Sequence, residues 1–198
     1  MLSTLHLKCK CGSFEATFDA PPRLTFNCHC HSCVAVIQGI EAKDGFSGTS
    51  MKSDKEGGAA ICIFKSNNVT VTKVDSAKIG FMKVGEGGKI PRPYCTECGT
   101  VLYNVWKPTW CAANRNALFI DDGSPFVPTC TPVMNIMSKN AFDQDKVPEP
   151  KHKSAPLGMF VKFIPLVVGL VGDGSNSKVN ALIPVDISKV ESVPITWE

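Results

Sequence analysis

Seven of the ten cysteines of this chain fall into three short clusters, and their spacing limits the possible folds more than any other feature. The clusters are Cys9-Lys10-Cys11-Gly12, then Cys28-His29-Cys30-His31-Ser32-Cys33, then Cys95-Thr96-Glu97-Cys98-Gly99. Two thiols separated by one or two residues can face one ion from a single turn, because local sequence has already closed the loop and little further entropy is lost. Cys9, Cys11, Cys95 and Cys98 make a closed tetrahedral set that ties the N-terminal region to a turn far along the chain, which is the pattern of a structural site. Cys28, Cys30 and Cys33 supply three sulfurs with no evident fourth partner, leaving a coordination position for water or substrate. Glycine after Cys11 and after Cys98 permits positive φ, and such turns are expected to aim an N–H at a ligating sulfur.

Zinc is the expected ion, two per chain, because paired, glycine-terminated thiols suit tetrahedral zinc better than an iron–sulfur cluster. The Cys95 pair lacks the βαβ context of a thioredoxin-type redox site and is followed by glycine rather than by a helix. His29 and His31 lie inside the middle cluster as alternative fourth ligands or proton carriers, although alternation along an extended segment turns neighbours to opposite sides. Cys62, Cys111 and Cys130 stand singly in apolar or turn segments and read as small core residues.

The remainder of the chain sets the context. Its 198 residues, 43% hydrophobic and 20% charged, suit one globular unit with an extension. Lys8 and Lys10 interrupt the N-terminal stretch, so no signal peptide is expected. A reducing, cytoplasmic setting follows, in which disulfides would not persist and the Asn68-Val69-Thr70 sequon would go unused. The apolar stretch 157–170 is shorter than the roughly 20 residues of a membrane span and contains Lys162 and Pro165. A net charge of +3 is small, and the Lys151-His152-Lys153 cluster has no interleaved aromatics, so neither membrane nor nucleic acid is an expected partner. The run Val84-Gly85-Glu86-Gly87-Gly88-Lys89-Ile90 is not a phosphate loop: Lys83 stands where the first glycine belongs and Ile90 where Ser or Thr must bind magnesium. It reads as a mobile turn near a metal ligand.

Short β-like runs at 13–18, 60–64, 69–73, 79–84, 101–106 and 117–120, bounded by turn residues, predict an antiparallel, mainly β fold with cysteines in the turns. One helical turn is expected at 32–38, ended by Gly39. Residues 39–58 read as a long surface loop. Residues 1–142 are expected to form the zinc-binding domain, with 39–58 as an insertion in it. Residues 143–198 are expected to form a C-terminal extension packed on the same domain.

The order C-x-C-G, C-H-C-x-x-C, C-x-x-C-G, followed by the apolar run Thr100-Val101-Leu102-Tyr103, resembles the glutathione-dependent formaldehyde-activating enzyme family, which includes centromere protein V. The resemblance covers about residues 5–142 and implies a zinc-binding β-tent fold. In it Cys9, Cys11, Cys95 and Cys98 match the structural zinc ligands, and Cys28, Cys30 and Cys33 match those of a catalytic zinc. It also implies carbon–sulfur lyase activity, adding a thiol such as glutathione to an electrophile such as formaldehyde. Three thiolates donate much charge to zinc, so a substrate thiol suits the open position better than hydrolytic water. The insertion at 39–58 and the extension beyond Phe142 depart from the family pattern. Two alternatives stand beside the lyase: a non-catalytic, zinc-stabilised interaction module, and a lyase specialised for a larger electrophile of secondary metabolism.

Overall fold

The computed structural model describes residues 4–43, 46, 51–53, 56–65, 68–105, 110–128, 133–159, 161, 164 and 190–193. Twelve strands are described: β1 (Leu5–Lys8), β2 (Phe14–Phe18), β3 (Leu24–Cys28), β4 (Ala59–Lys65), β5 (Val69–Val74), β6 (Ile79–Val84), β7 (Arg92–Cys95), β8 (Tyr103–Val105), β9 (Trp110–Asn114), β10 (Leu118–Phe119), β11 (Met134–Ile136) and β12 (Glu191–Val193). An 11-residue helix, α1 (His31–Glu41), follows β3.

The strands form three sheets, in the orders β10-β1-β2-β5, β11-β3-β4-β9-β8 and β12-β6-β7. Most pairs are antiparallel, in line with the sequence. Two are not: β11 runs parallel to β3 and β12 parallel to β6. Local turns cannot set such pairings, because parallel neighbours need a long connection.

Strands β4 and β9 of the five-stranded sheet are buried on both faces, and this explains their composition. Along β4 the side chains alternate between two apolar clusters. Ala59, Ile61 and Ile63 join Phe26, Trp110, Ala112 and the helix residues Val36, Ile37 and Ile40 on one side. Cys62 and Phe64 join Leu7, Phe14, Phe18, Cys111 and Leu118 on the other. A strand covered on both faces loses the apolar–polar alternation and reads as a continuous apolar run. Phe18 of β2 stacks on Phe64 of β4 with ring centroids 3.9 Å apart, joining two sheets. Cys62 and Cys111 are fully buried core residues, and burial pushes the Cys111 thiol up. Cys130 lies outside the described residues.

The helix runs past the expected stop. Gly39 lies inside α1, and the Ala42 N–H still donates to the Gln38 carbonyl at 2.9 Å. Glycine in a helix costs about 1 kcal/mol, whereas burying an isoleucine contributes roughly 1.5–3 kcal/mol, and Ile40 is 0% exposed. Burial wins. Residues 39–58 are therefore not one surface loop: their first part is helix, and Met51 is buried in the core. Lys52 bridges Ala59 at the head of β4.

The segment after β11 is held by backbone. The Asn135 N–H donates to the Pro150 carbonyl and the His152 N–H to the Asn135 carbonyl, both at 2.8 Å. A polar chain runs through the same place: Arg115 Nη2 donates to Asn27 Oδ1, Asn27 Nδ2 to Asn135 Oδ1, and Asn135 Nδ2 to the Pro148 carbonyl. Val147 and Met159 are buried, and Met159 reaches the cluster that contains Cys28 and Cys33. Among the described residues, no helix is long and apolar enough to cross a membrane. The stretch 157–170 and the Val/Ile-rich 181–187 lie mostly or wholly outside them.

Candidate metal centres

The cysteine clusters converge as two groups, Cys9, Cys11, Cys95 and Cys98, and Cys28, Cys30 and Cys33, with the sulfurs of each group within 4.8 Å of one another. Four sulfurs about 2.3 Å from a tetrahedral zinc stand about 3.8 Å apart. Cys11 Sγ lies 3.6 Å from Cys9 Sγ and 3.4 Å from Cys95 Sγ, so the donor set fits that ion with small adjustment.

The four-cysteine group is built from two turns. Cys9 and Cys11 lie between β1 and β2, Cys95 ends β7, and Cys98 follows it. Cys11 and Cys95 are 84 residues apart in sequence. Gly12 (φ 73°) and Gly99 (φ 67°) hold the left-handed turns that the motifs predicted. Their N–H groups do not reach sulfur, however. Gly12 donates to the Cys9 carbonyl at 3.0 Å and Gly99 to the Cys95 carbonyl at 2.9 Å. The turns are closed by backbone, and the Phe14 N–H at the start of β2 reaches Cys9 Sγ at 3.2 Å. Hydroxyls assist: Ser13 Oγ lies 3.1 Å from Cys11 Sγ and Thr100 Oγ1 3.2 Å from Cys98 Sγ. Burial pushes Cys95 up to about 12 against the pull of the Glu97 and Cys98 N–H groups. At Cys98 burial acts upward too, but donors led by Thr100 overcome it and bring the thiol down to about 6.

Phe46, from the insertion, packs on the second of these turns. A Cβ at Gly99 would stand 2.7 Å from Phe46 Cγ, whereas one at Gly123 (φ 83°) would meet nothing within 4 Å. Both positions carry the left-handed strain of about 1–2 kcal/mol for a residue with Cβ. Gly99→Ala is therefore expected to destabilise the zinc-replete protein by at least ~1 kcal/mol more than Gly123→Ala. Denaturant titration of the two variants checks this, and equal losses would mean that Phe46 yields freely.

The three-cysteine group lies where β3 meets α1. Cys28 ends the strand, Cys30 occupies the N-cap position, and Cys33 sits in the first helical turn. The positive end of the helix dipole and its free N–H groups favour thiolate there. Hydrogen bonds from Cys28 and Cys33 bring Cys30 down to about 2, and the charge of Arg92 adds to the effect. The same sharing holds Cys28 well above the ordinary thiol value. At Cys33 a hydrogen bond with Cys28 pulls down, but the bond with Cys30 and full burial prevail and push it up to about 12. Hydrogen-bond sharing in the metal-free cluster thus favours the thiolate at Cys30 over its two neighbours.

Neither histidine joins the ligand group. His31 is exposed at the start of α1. The His29 ring is buried against Gly58, where an added Cβ would come within 2.7 Å of it.

Each group has a cavity beside it, and the two cavities differ in chemistry: Cys9 of the four-cysteine group lines one of about 350 Å³ together with Lys8, Lys10, Thr100 and Asn116. Cys28 and Cys33 line a cavity of about 220 Å³ walled by Phe26, Ile61, Ile63 and Trp110, with Arg92 and Asn104 as its polar members. Ile90, two residues after the Gly85–Gly88 turn, also lines it, whereas the turn residues themselves do not. Arg92, Asn104 and Trp110 did not stand out in the sequence. Arg92 shares a face of β7 with Tyr94, which joins the cluster containing Cys28 and Cys33, while Cys95 points into the opposite cluster. Period 2 in a strand produces this split. Its only advance sign was a charged residue close before a ligand cysteine.

No protein-family model and no curated protein matches the chain. Among solved structures, the crystal structure of a Rhodobacter sphaeroides protein from a structural genomics programme is similar over 64% of this chain and 91% of that chain, at 12% identity and a TM-score of 0.37.

Proposed function

We propose that this chain is a zinc-dependent carbon–sulfur lyase that makes or breaks the bond between a thiol, glutathione or a relative of it, and a small electrophile. The observation that carries this reading is the contrast between the two cysteine groups. One brings four sulfurs together from distant parts of the chain, a full tetrahedral set, whereas the other offers three, two of them lining a mainly apolar cavity. A zinc ion held by Cys28, Cys30 and Cys33 would supply Lewis acidity that favours a substrate thiolate over the thiol. The chain's own groups do the rest. Before metal enters, hydrogen bonds from Cys28 and Cys33, aided by the Arg92 charge, favour the thiolate at Cys30. The apolar Phe26, Ile61, Ile63 and Trp110 walls give the reacting carbon a low-dielectric face, which strengthens nearby electrostatic interactions. At about 220 Å³ the cavity is smaller than the roughly 300–1,000 Å³ that encloses a drug-sized ligand. It suits the reacting end of an adduct and leaves the rest of a glutathione-sized molecule outside.

The test is calorimetry of glutathione against S-methylglutathione on zinc-replete protein, in buffers of different ionisation enthalpy. Glutathione is expected to bind at least tenfold more tightly and to release close to one proton, because the position receives sulfur without its proton. Equal binding without proton release would overturn sulfur ligation. Breakdown of S-hydroxymethylglutathione should also accelerate in wild type and not in Cys30→Ser. Thiol binding without any acceleration would reassign the chain to a zinc-stabilised binding module.

A further inference from the structure

We propose that the cavity beside Cys28 and Cys33 holds a carboxylate of the substrate on the guanidinium of Arg92, so that the preferred substrate is a small thiol adduct bearing an acid group. This deepens the lyase reading and rests on it for the position of the sulfur. Arg92 is 6% exposed. Its Nε and Nη1 are buried and find no hydrogen-bond partner among the described residues. A guanidinium stays charged at any physiological pH, and burying a charge without partners costs several kcal/mol. Native structures satisfy such groups, so two orphaned donors beside a cavity mark a place where a ligand completes the set.

The surroundings narrow the ligand. The described residues that line the cavity include no aspartate or glutamate, and its other polar member, Asn104, carries no charge. Cys30 and Cys33 feel the positive field of Arg92, but that field balances charge without occupying Nε–H or Nη1–H. What is missing is an acceptor. A carboxylate supplies planar acceptor oxygens matched to the guanidinium fork and forms charge-assisted hydrogen bonds with it. The cavity, about 220 Å³, has room for a small acid and little more. Both ends of such a substrate are then recognised, the sulfur at the three-cysteine group and the acid at β7. Arg92 touches substrate and sets specificity; it exchanges no proton.

Three probes separate these contacts: 3-mercaptopropionate carries both groups, 2-mercaptoethanol only the thiol, and propionate only the acid. Calorimetry on the zinc-replete full chain is expected to show 3-mercaptopropionate binding at least tenfold more tightly than 2-mercaptoethanol. In Arg92→Met that gap should close while zinc content stays at the wild-type value, and Arg92→Lys should restore only part of it, since a point charge cannot reproduce the fork. Equal binding of the two thiols by wild type would overturn the acid subsite and leave the thiol reading standing. Propionate binding that depends on Arg92, with no gain from the thiol, would do the reverse. An Arg92→Met protein that loses zinc yet keeps the gap would show that Arg92 only balances thiolate charge, which also overturns the proposal. If Arg92→Met does not fold, wild type and Arg92→Lys decide.

Discussion

Cys95→Ser is expected to abolish folding, whereas Cys30→Ser should leave a folded protein with one zinc instead of two. Cys95 is fully buried, ends β7, and meets Cys11 from 84 residues away. An ion held by that group would therefore close a long loop and pin the β1–β2 turn to the third sheet. Structural zinc contributes an apparent ~10–16 kcal/mol in small zinc-binding peptides, which matches or exceeds the whole net stability of a domain, about 5–15 kcal/mol. A serine there is a poor ligand in a buried place and leaves three thiols without a closed shell. Cys30 differs in both respects. It is half-buried at the N-cap of α1, and its partners Cys28 and Cys33 lie within the same stretch of chain, so an ion there closes almost no loop. Circular dichroism and elemental analysis of both variants check the contrast. Collapse of both would make both sites structural, and folding of both would remove the four-cysteine group as the keystone of the fold.

The second large effect is the pH dependence of metal affinity at the three-cysteine group. Without metal, Cys30 is held at about 2 by hydrogen bonds from Cys28 and Cys33, Cys28 is raised well above the usual thiol range, and Cys33 is pushed up to about 12. Near neutral pH one thiol is therefore ionised and two are protonated. A zinc ion that takes all three sulfurs must displace two protons. Affinity then rises as pH rises, by about two decades per unit between roughly pH 6 and 8, because protons and metal compete for the same sulfurs and neither raised thiol ionises within that window. Lowering the pH has the opposite effect, and mild acid should empty this group. Competition with a chromophoric chelator of known protonation, using protein already loaded at the four-cysteine group, measures the slope. A slope near one or below would mean that burial does not hold Cys28 and Cys33 protonated.

How far the amino-acid sequence reached depended on whether a feature was local. Chelate spacing is local, so the division of seven cysteines into four and three, and the turns at Gly12 and Gly99, were legible before any fold was known. Strands with one covered face were legible for the same reason: Phe14–Phe18 alternates buried and half-buried residues along its length. Trp110–Asn114 was not read as a strand, because its alanines and cysteine lack β character and all five residues are buried. Leu24–Cys28 went unread beside the cysteine cluster that it leads into. The continuation of α1 through Gly39 required Ile40 to find its place in the core, which only the packed sheet provides. The parallel partners β11 and β12 arrive from distant sequence and leave no periodic mark on β3 or β6. The same limit hid Arg92. Nothing local tells which face of a strand a residue will occupy or what will stand opposite. Sequence thus determined which sulfurs gather, because a chelate is closed by neighbouring residues. Tertiary structure decided that the three-sulfur group lies beside a mainly apolar cavity where Nε and Nη1 of Arg92 find no partner among the described residues, because a cavity exists only where surfaces from remote segments fail to fill the space between them.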